Sequence, residues 1–185
     1  MYKPCQSDSR IQHILLWQGA YDEGVTVEDT CVPYAFAISG YDYLADLTSF
    51  EEGLFQVQDL SSILAGLAVN PNPGDYVVDV CAAPGGKCLH AAQRGSDITV
   101  EARDVSEAKV GLIRDNIERL HMDNVTAKVW DATVKDESLI GKADILICDV
   151  PCSGLGILGR KADIRYNASA EKTEALVELQ RKILS

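Results

Sequence analysis

From Tyr76 to Cys148 the sequence alternates between short apolar runs and longer amphipathic stretches, and this alternation restricts the fold more than any other feature. Runs rich in valine and isoleucine predict strands at Tyr76–Val80, Ile98–Ala102, Val125–Val129 and Ile145–Cys148. A short helix is predicted from about Gly86 to Arg94. A longer one is predicted over Ser106–His121, with Val110, Ile113, Ile117 and Leu120 on its inner face. Strands separated by helices cannot pair as hairpins, so they pair in parallel through right-handed crossovers. The expectation is a Rossmann-like, doubly wound α/β domain.

The flanks add to this frame. Asp59 reads as the N-cap of a helix whose apolar stripe is Leu60, Ile63, Leu64, Leu67 and Ala68. The run Asn70-Pro71-Asn72-Pro73-Gly74-Asp75 ends it. Nearer the start, the apolar spacing of Arg10–Leu15 predicts a short helix broken by Gly19 and Gly24, and Thr30–Ser39 predicts a strand. Residues 1–54 thus read as a small, partial α/β domain and 55–185 as the main domain. A last helix begins near Ser169, carries Leu176, Leu179 and Ile183, and is still running at Ser185.

Composition narrows the setting. The chain is 46% hydrophobic and 24% charged, an ordinary globular balance. No apolar run approaches the ~20 residues of a membrane span, and the N-terminus has no signal-peptide core, so a cytoplasmic protein is expected. The six cysteines form no Cys-x-x-Cys pair, and His13, His90 and His121 are scattered, which predicts reduced thiols and no metal site. Cys5, Cys31, Cys88 and Cys148 read as small buried hydrophobes, and the three histidines as surface or helix-end residues. The net charge of −11 is the reverse of a typical nucleic-acid binder. Any RNA contact then needs a local basic surface or sequence outside this chain.

Ligands of open parallel sheets bind beyond the carboxyl ends of the strands. There the first strand of the main domain runs into Asp79-Val80-Cys81-Ala82-Ala83-Pro84-Gly85-Gly86-Lys87, small residues and glycines that admit close backbone approach. Asp104 follows the second strand, about 20 residues after the glycines, the spacing at which an acid meets ribose hydroxyls. Asp131 and Asp149 follow the third and fourth. Cys81 and Cys88 replace the glycine and hydroxyl residue of a phosphate loop, and the Gly-x-Gly-x-x-Gly fingerprint is absent. Carboxylates without a phosphate cradle suit a ligand with hydroxyls, an exocyclic amine and positive charge. S-adenosylmethionine has those groups.

Two motifs carry a family resemblance: Asp-x-Cys-Ala-Ala-Pro-Gly-Gly-Lys at 79–87 and Asp-x-Pro-Cys-Ser-Gly at 149–154. With Phe55–Asp59, Asp115–Leu120 and Gly159–Arg165, they make the chain similar to the Sun/Fmu family of RNA (cytosine-5) methyltransferases, of which 16S rRNA methyltransferase B is a member. The resemblance is clear over roughly 55–185. Residues 1–50 look like a shortened form of the small RNA-binding domain that precedes the family's catalytic domain.

The resemblance implies a class I methyltransferase fold and S-adenosylmethionine as cofactor, held by Cys81, Ala82, Ala83, Pro84, Gly85, Gly86, Lys87, Asp104, Asp131 and Asp149. It implies RNA, here rRNA, as partner. The implied chemistry adds a thiolate to cytosine carbon 6, so that carbon 5 attacks the sulfonium methyl; base then removes the carbon-5 proton and the thiolate leaves. Asp149 would hold the cytosine N3 edge, Lys87 would lie beside the base, and Cys152 would assist release. The family's nucleophile sits in a Thr-Cys motif on a later strand. No Thr-Cys follows Asp149, and Thr30-Cys31 lies in the wrong domain, so the expectation is a C-terminally incomplete chain lacking the nucleophile and the later strands. Two alternatives stand beside it: Cys152 as the nucleophile itself, and a non-catalytic cofactor- or RNA-binding fragment.

Overall fold

A computed structural model describes residues 12–15, as backbone, together with 23–95, 97–154 and 169–185. The motif at Gly159–Arg165 and Cys5 lie outside the described residues. Two four-stranded sheets organise the fold.

The first sheet is antiparallel and contains β1 (Gln12–Leu15), β2 (Thr26–Asp29), β3 (Ala35–Ser39) and β4 (Gln56–Gln58), in the order β2-β3-β1-β4. The helix expected over Arg10–Leu15 is therefore corrected to a strand. Position in the sheet gives the reason: β1 has a neighbour on each side, pairing Ile14 with Phe36 of β3 and with Val57 of β4. A short apolar run is compatible with either helix or strand, and pairing along both edges outweighs local spacing. The strand expected at Thr30–Ser39 begins only at Ala35, because Thr30–Tyr34 form a turn. In it the Thr30 hydroxyl donates to the Ala35 carbonyl at 2.5 Å and accepts from the Val32 N–H at 3.1 Å. A short helix, α1 (Thr48–Glu51), packs Phe50 against Phe55, while Val25, Ile38, Leu47 and Phe55 form the buried centre of this unit.

β4 leads through Asp59 into α2 (Leu60–Val69). Asp59 stands at the N-cap position in an extended conformation, but its side chain does not accept the capping hydrogen bond. The expected apolar stripe is also narrower than its pattern. Ile63 and Gly66 are the buried residues, and Leu64 is 48% exposed. Ile63 packs with Val32 and Ala35, tying α2 to the first sheet. Asn70 ends the helix in the left-handed region, which asparagine tolerates.

The second sheet is entirely parallel, in the order β7-β6-β5-β8: β5 (Tyr76–Asp79), β6 (Thr99–Asp104), β7 (Val125–Val129) and β8 (Ile145–Ile147). Between them run α3 (Gly86–Ala92) and α4 (Glu107–Arg119), and α5 (Ala170–Leu184) follows. This is the Rossmann-like α/β arrangement predicted from the alternation. Val77, Leu89, Ile98, Val100, Ala102 and Ile113 are among the residues of its core, and several bury completely.

Side-chain tethers join the halves. The Arg119 guanidinium donates to the Phe50 and Phe55 carbonyls, at 2.8 and 3.0 Å, with the Phe50 ring 4.0 Å from its carbon. Tyr34 meets the imidazole of His90 at 3.2 Å. Of the two positions offered for His90, surface or helix end, the second holds: it lies in the last turn of α3 and is only 2% exposed, because α2 packs over it through Gly66. Cys31 is likewise corrected to an exposed thiol, whereas Cys88 is buried and Cys148 partly so. Among the described residues no helix is long and apolar enough to cross a membrane.

Candidate active site

The loop after β5 is held on four sides. The Val80 N–H donates to the Ile147 carbonyl of β8 at 3.1 Å, and the Ala82 N–H to the Arg103 carbonyl of β6 at 2.8 Å. Asn116 on α4 donates to the Pro84 carbonyl at 3.1 Å, and Gln56 on β4 to the Gly86 carbonyl at 3.2 Å. Gly85 closes the turn at a φ of 111°, where a side chain is strained, and a Cβ there would approach the Leu89 side chain to 2.8 Å. The Ala83–Pro84 peptide is cis.

Against this loop lies a cleft of about 220 Å³. One wall is the loop itself, with Cys81, Ala82, Ala83, Pro84, Gly86 and Lys87. The β4–α2 junction supplies Val57, Gln58, Asp59 and Ser62, and Asp79 and Asp149 stand at the ends of β5 and after β8. Seven of the residues singled out from the sequence therefore meet around one space. Gly85 shapes the loop from behind.

Asp104 and Asp131 sit apart from this cleft. Asp104 is buried and turned inward: it accepts from the Ala83 N–H at 3.1 Å and the Val105 N–H at 2.8 Å, and Lys109 lies 3.0 Å away. Its Oδ2 takes one of those bonds and keeps further accepting capacity. Asp131 is exposed and accepts from the Thr133 N–H and hydroxyl, at 2.9 and 2.7 Å, which holds its carboxyl below the usual range. Cys152 is exposed beside Pro151, whose carbonyl accepts from Gln180 of α5 at 2.8 Å.

The electrostatics of the cleft are uneven. Asp79 is 1% exposed, and burial pushes its carboxyl up to about 7, against the Cys81 N–H it accepts at 3.2 Å; the nearby Asp149 adds to the rise. Burial, then Asp104 and Asp79, raises the Cys81 thiol to about 11. Burial likewise raises Cys88 and Cys148. These three thiols stay protonated at neutral pH and are poor nucleophiles. Lys87 reaches across to Asp149, 2.5 Å away.

Residue-by-residue reading of the sequence did not single out Gln58, Asp59, Ser62 or Asp79 as site residues. Asp79 carried a signal, since it opens the loop motif and ends a strand. Gln58 and Asp59 lie in the Phe55–Asp59 stretch of the family resemblance and Ser62 in the first turn of α2, and the packing of β4 and α2 against α3 brings all three to the loop.

The chain is similar to several known proteins. Ribosomal RNA small subunit methyltransferase B of Vibrio cholerae is 38% identical over 141 residues, covering 75% of this chain and 32% of that protein. The Pasteurella multocida protein of the same name is 31% identical over 170 residues, covering 88% and 38%. The chain thus spans about a third of the length of these relatives. Among solved structures, PH0851 superposes with a TM-score of 0.85 at 28% identity, covering 95% of this chain and 42% of that one. NSun6 from Pyrococcus horikoshii, solved with SFG, superposes at 0.69 with 30% identity, covering 80% and 37%. Residues 66–185 match the profile of the family described as 16S rRNA methyltransferase RsmB/F, and the chain belongs to that family.

Proposed function

We propose that this chain is the cofactor-binding part of an S-adenosylmethionine-dependent methyltransferase that modifies carbon 5 of a cytosine in ribosomal RNA, in the cytoplasm. The observation that carries this reading is the shared cleft. The 81–87 loop, the buried Asp79 and the Lys87–Asp149 pair face one space at the carboxyl ends of β5 and β8. The names of the relatives, ribosomal RNA small subunit methyltransferase B, support the substrate class.

The donor set fits the cofactor. Backbone and small side chains line one wall, the carboxylates of Asp59 and Asp149 provide negative charge for an ammonium or sulfonium, Asp79 can add to it by giving up its proton to a bound cation, and among the described residues Lys87 is the only cation lining the cleft. When bound, S-adenosylmethionine supplies a methyl group made electrophilic by its positive sulfur. Residues 81–87 would hold its amino-acid end, with Asp104 and Asp131 reaching the ribose and adenine. Asp149 would accept from or protonate the N3 edge of the cytosine, and Lys87, which pairs with Asp149, would orient that carboxylate. Cys152 assists release of the product. The attacking thiolate is assigned to a Thr-Cys motif of the family, which has no counterpart after Asp149 in this sequence.

Calorimetric titration with S-adenosylmethionine tests the ligand, with a one-to-one isotherm expected. Transfer of labelled methyl groups to small-subunit rRNA lacking the modification, followed by mapping of the product base, tests the reaction. Failure to bind the cofactor would overturn the reading.

A further inference from the structure

Both polar atoms of the Gln58 side chain, Oε1 and Nε2, are buried without a hydrogen-bond partner, and the residue is 8% exposed. A buried amide left unpaired is costly, so such a group in a native fold asks for an explanation. Its surroundings supply one. Gln58 lines the same cleft as Asp79, Lys87 and Asp149.

The placement is held firmly. Gln56, two residues earlier on the same face of β4, is bonded to the Gly86 carbonyl, which fixes the strand against the start of α3. Gln58 itself packs over Gly86 so closely that a Cβ there would lie 3.3 Å from Nε2. The cleft also lies to one side of the sheet. It is bounded by the acids at the ends of β5 and β8, not by those following β6 and β7, where ribose and adenine are assigned. Its loop wall, residues 81–87, is assigned to the cofactor's amino-acid end, so on that reading the methyl group and the acceptor base meet in this space.

We infer that Gln58 is a base-recognition residue: its carboxamide, one acceptor beside one donor in a plane, pairs with the adjacent donor and acceptor on the Watson–Crick edge of the target base. Oε1 accepts from one proton of the exocyclic amine and Nε2 donates to the ring nitrogen beside it, leaving the amine's other proton to Asp149. Lys87 and Asp149 close the opposite wall. This rests on the reading that the cleft receives an RNA base next to the cofactor.

The test measures binding of two single-stranded RNAs that differ at one position, cytidine in one and an abasic site in the other, in saturating S-adenosylhomocysteine. The wild-type chain is expected to prefer the cytidine strand about tenfold. Gln58→Leu should lose that preference while binding the abasic strand and S-adenosylmethionine as the wild type does. Gln58→Glu, which keeps the shape but removes the donor, should lose it too, and serves if the leucine variant does not fold. Retention of the preference in both variants overturns the inference, leaving Gln58 a structural amide served by water. Weakened S-adenosylmethionine binding with the base preference intact also overturns it, by assigning Gln58 to the cofactor. A wild-type chain that binds cofactor but shows no preference overturns the inference alone. One that binds no cofactor overturns the parent reading and the inference with it.

Discussion

The Lys87 ammonium lies 2.5 Å from Oδ2 of Asp149, joining the first turn of α3 to the loop after β8 across the mouth of the cleft. The pair is partly open to solvent, with side-chain exposures of 23% and 57%. Partly exposed pairs add about 0–1 kcal/mol to stability. A function in orienting groups at the mouth accounts for its position better than stability does.

Lys87→Met is therefore expected to change the unfolding free energy by less than about 1 kcal/mol in urea titrations. In the proposed reaction, methyl transfer should fall by roughly 100-fold or more if the pair holds the base or moves a proton. A large loss of stability with normal transfer would assign the pair to the fold.

Asp79 makes stability depend on pH. Its folded carboxyl, near 7, binds a proton more tightly than the ordinary value of 3.8. The contribution is thus fully present below about 4 and is lost as the pH rises through 7. Asp79→Asn can still accept from the Cys81 N–H and removes the ionisation. It should match the wild type near pH 4 and exceed it at pH 8 by roughly 2–4 kcal/mol, read from urea midpoints.

His90 acts in the opposite direction. Burial first, and then the charge of Arg94, lowers its imidazole from 6.5 to about 4, so the fold holds it neutral. Its contribution is present above 6.5 and is lost as the pH falls through 4. Between these limits the two residues oppose each other and flatten the wild-type profile. Asp79→Asn should therefore show a plain loss of stability on acidification from pH 6.5 to 4, which His90→Gln in the same background should remove.

A Cβ on Gly66 would run into the His90 imidazole. Gly66→Ala is expected to destabilise the protein by about 1–3 kcal/mol, despite alanine's better helix propensity. Adding His90→Ala should recover part of the loss, because the two residues share one contact. Additive losses would show that the strain lies elsewhere.

Arg103 is 2% exposed, lies against the carboxylates of Glu101 and Asp136, and has its guanidinium carbon 5.0 Å from the centre of the Trp130 ring. Arg103→Met would leave two acids facing each other without a cation. A loss of about 3 kcal/mol is expected in chemical unfolding. Replacing Glu101 by Gln in the same chain should soften it.

Much of the second sheet could be read from local pattern. The strand at Val125–Val129 was predicted with its observed limits, and the other three differ from prediction by one or two residues at an end. Valine-rich runs between helices admit few alternatives once turn residues bound them. The first sheet was harder to read, because β1 owes its conformation to partners about 20 and 40 residues away. The α2 stripe was wider in pattern than in fact, since burial there depends on Val32 and Ala35 on one side and His90 on the other.

The amino-acid sequence by itself determined the parallel α/β frame, the glycine loop at its centre and the membership of a family, because periodicity, turn residues and motif spacing are local properties. Only the tertiary structure decided which acids face the cleft, that Asp104 at the end of β6 holds the loop after β5, and that Gln58 waits there without a partner. Where a side chain points and whether its polar atoms are paired depend on residues brought close by folding. For Gln58 that residue is Gly86, on a helix of the other sheet.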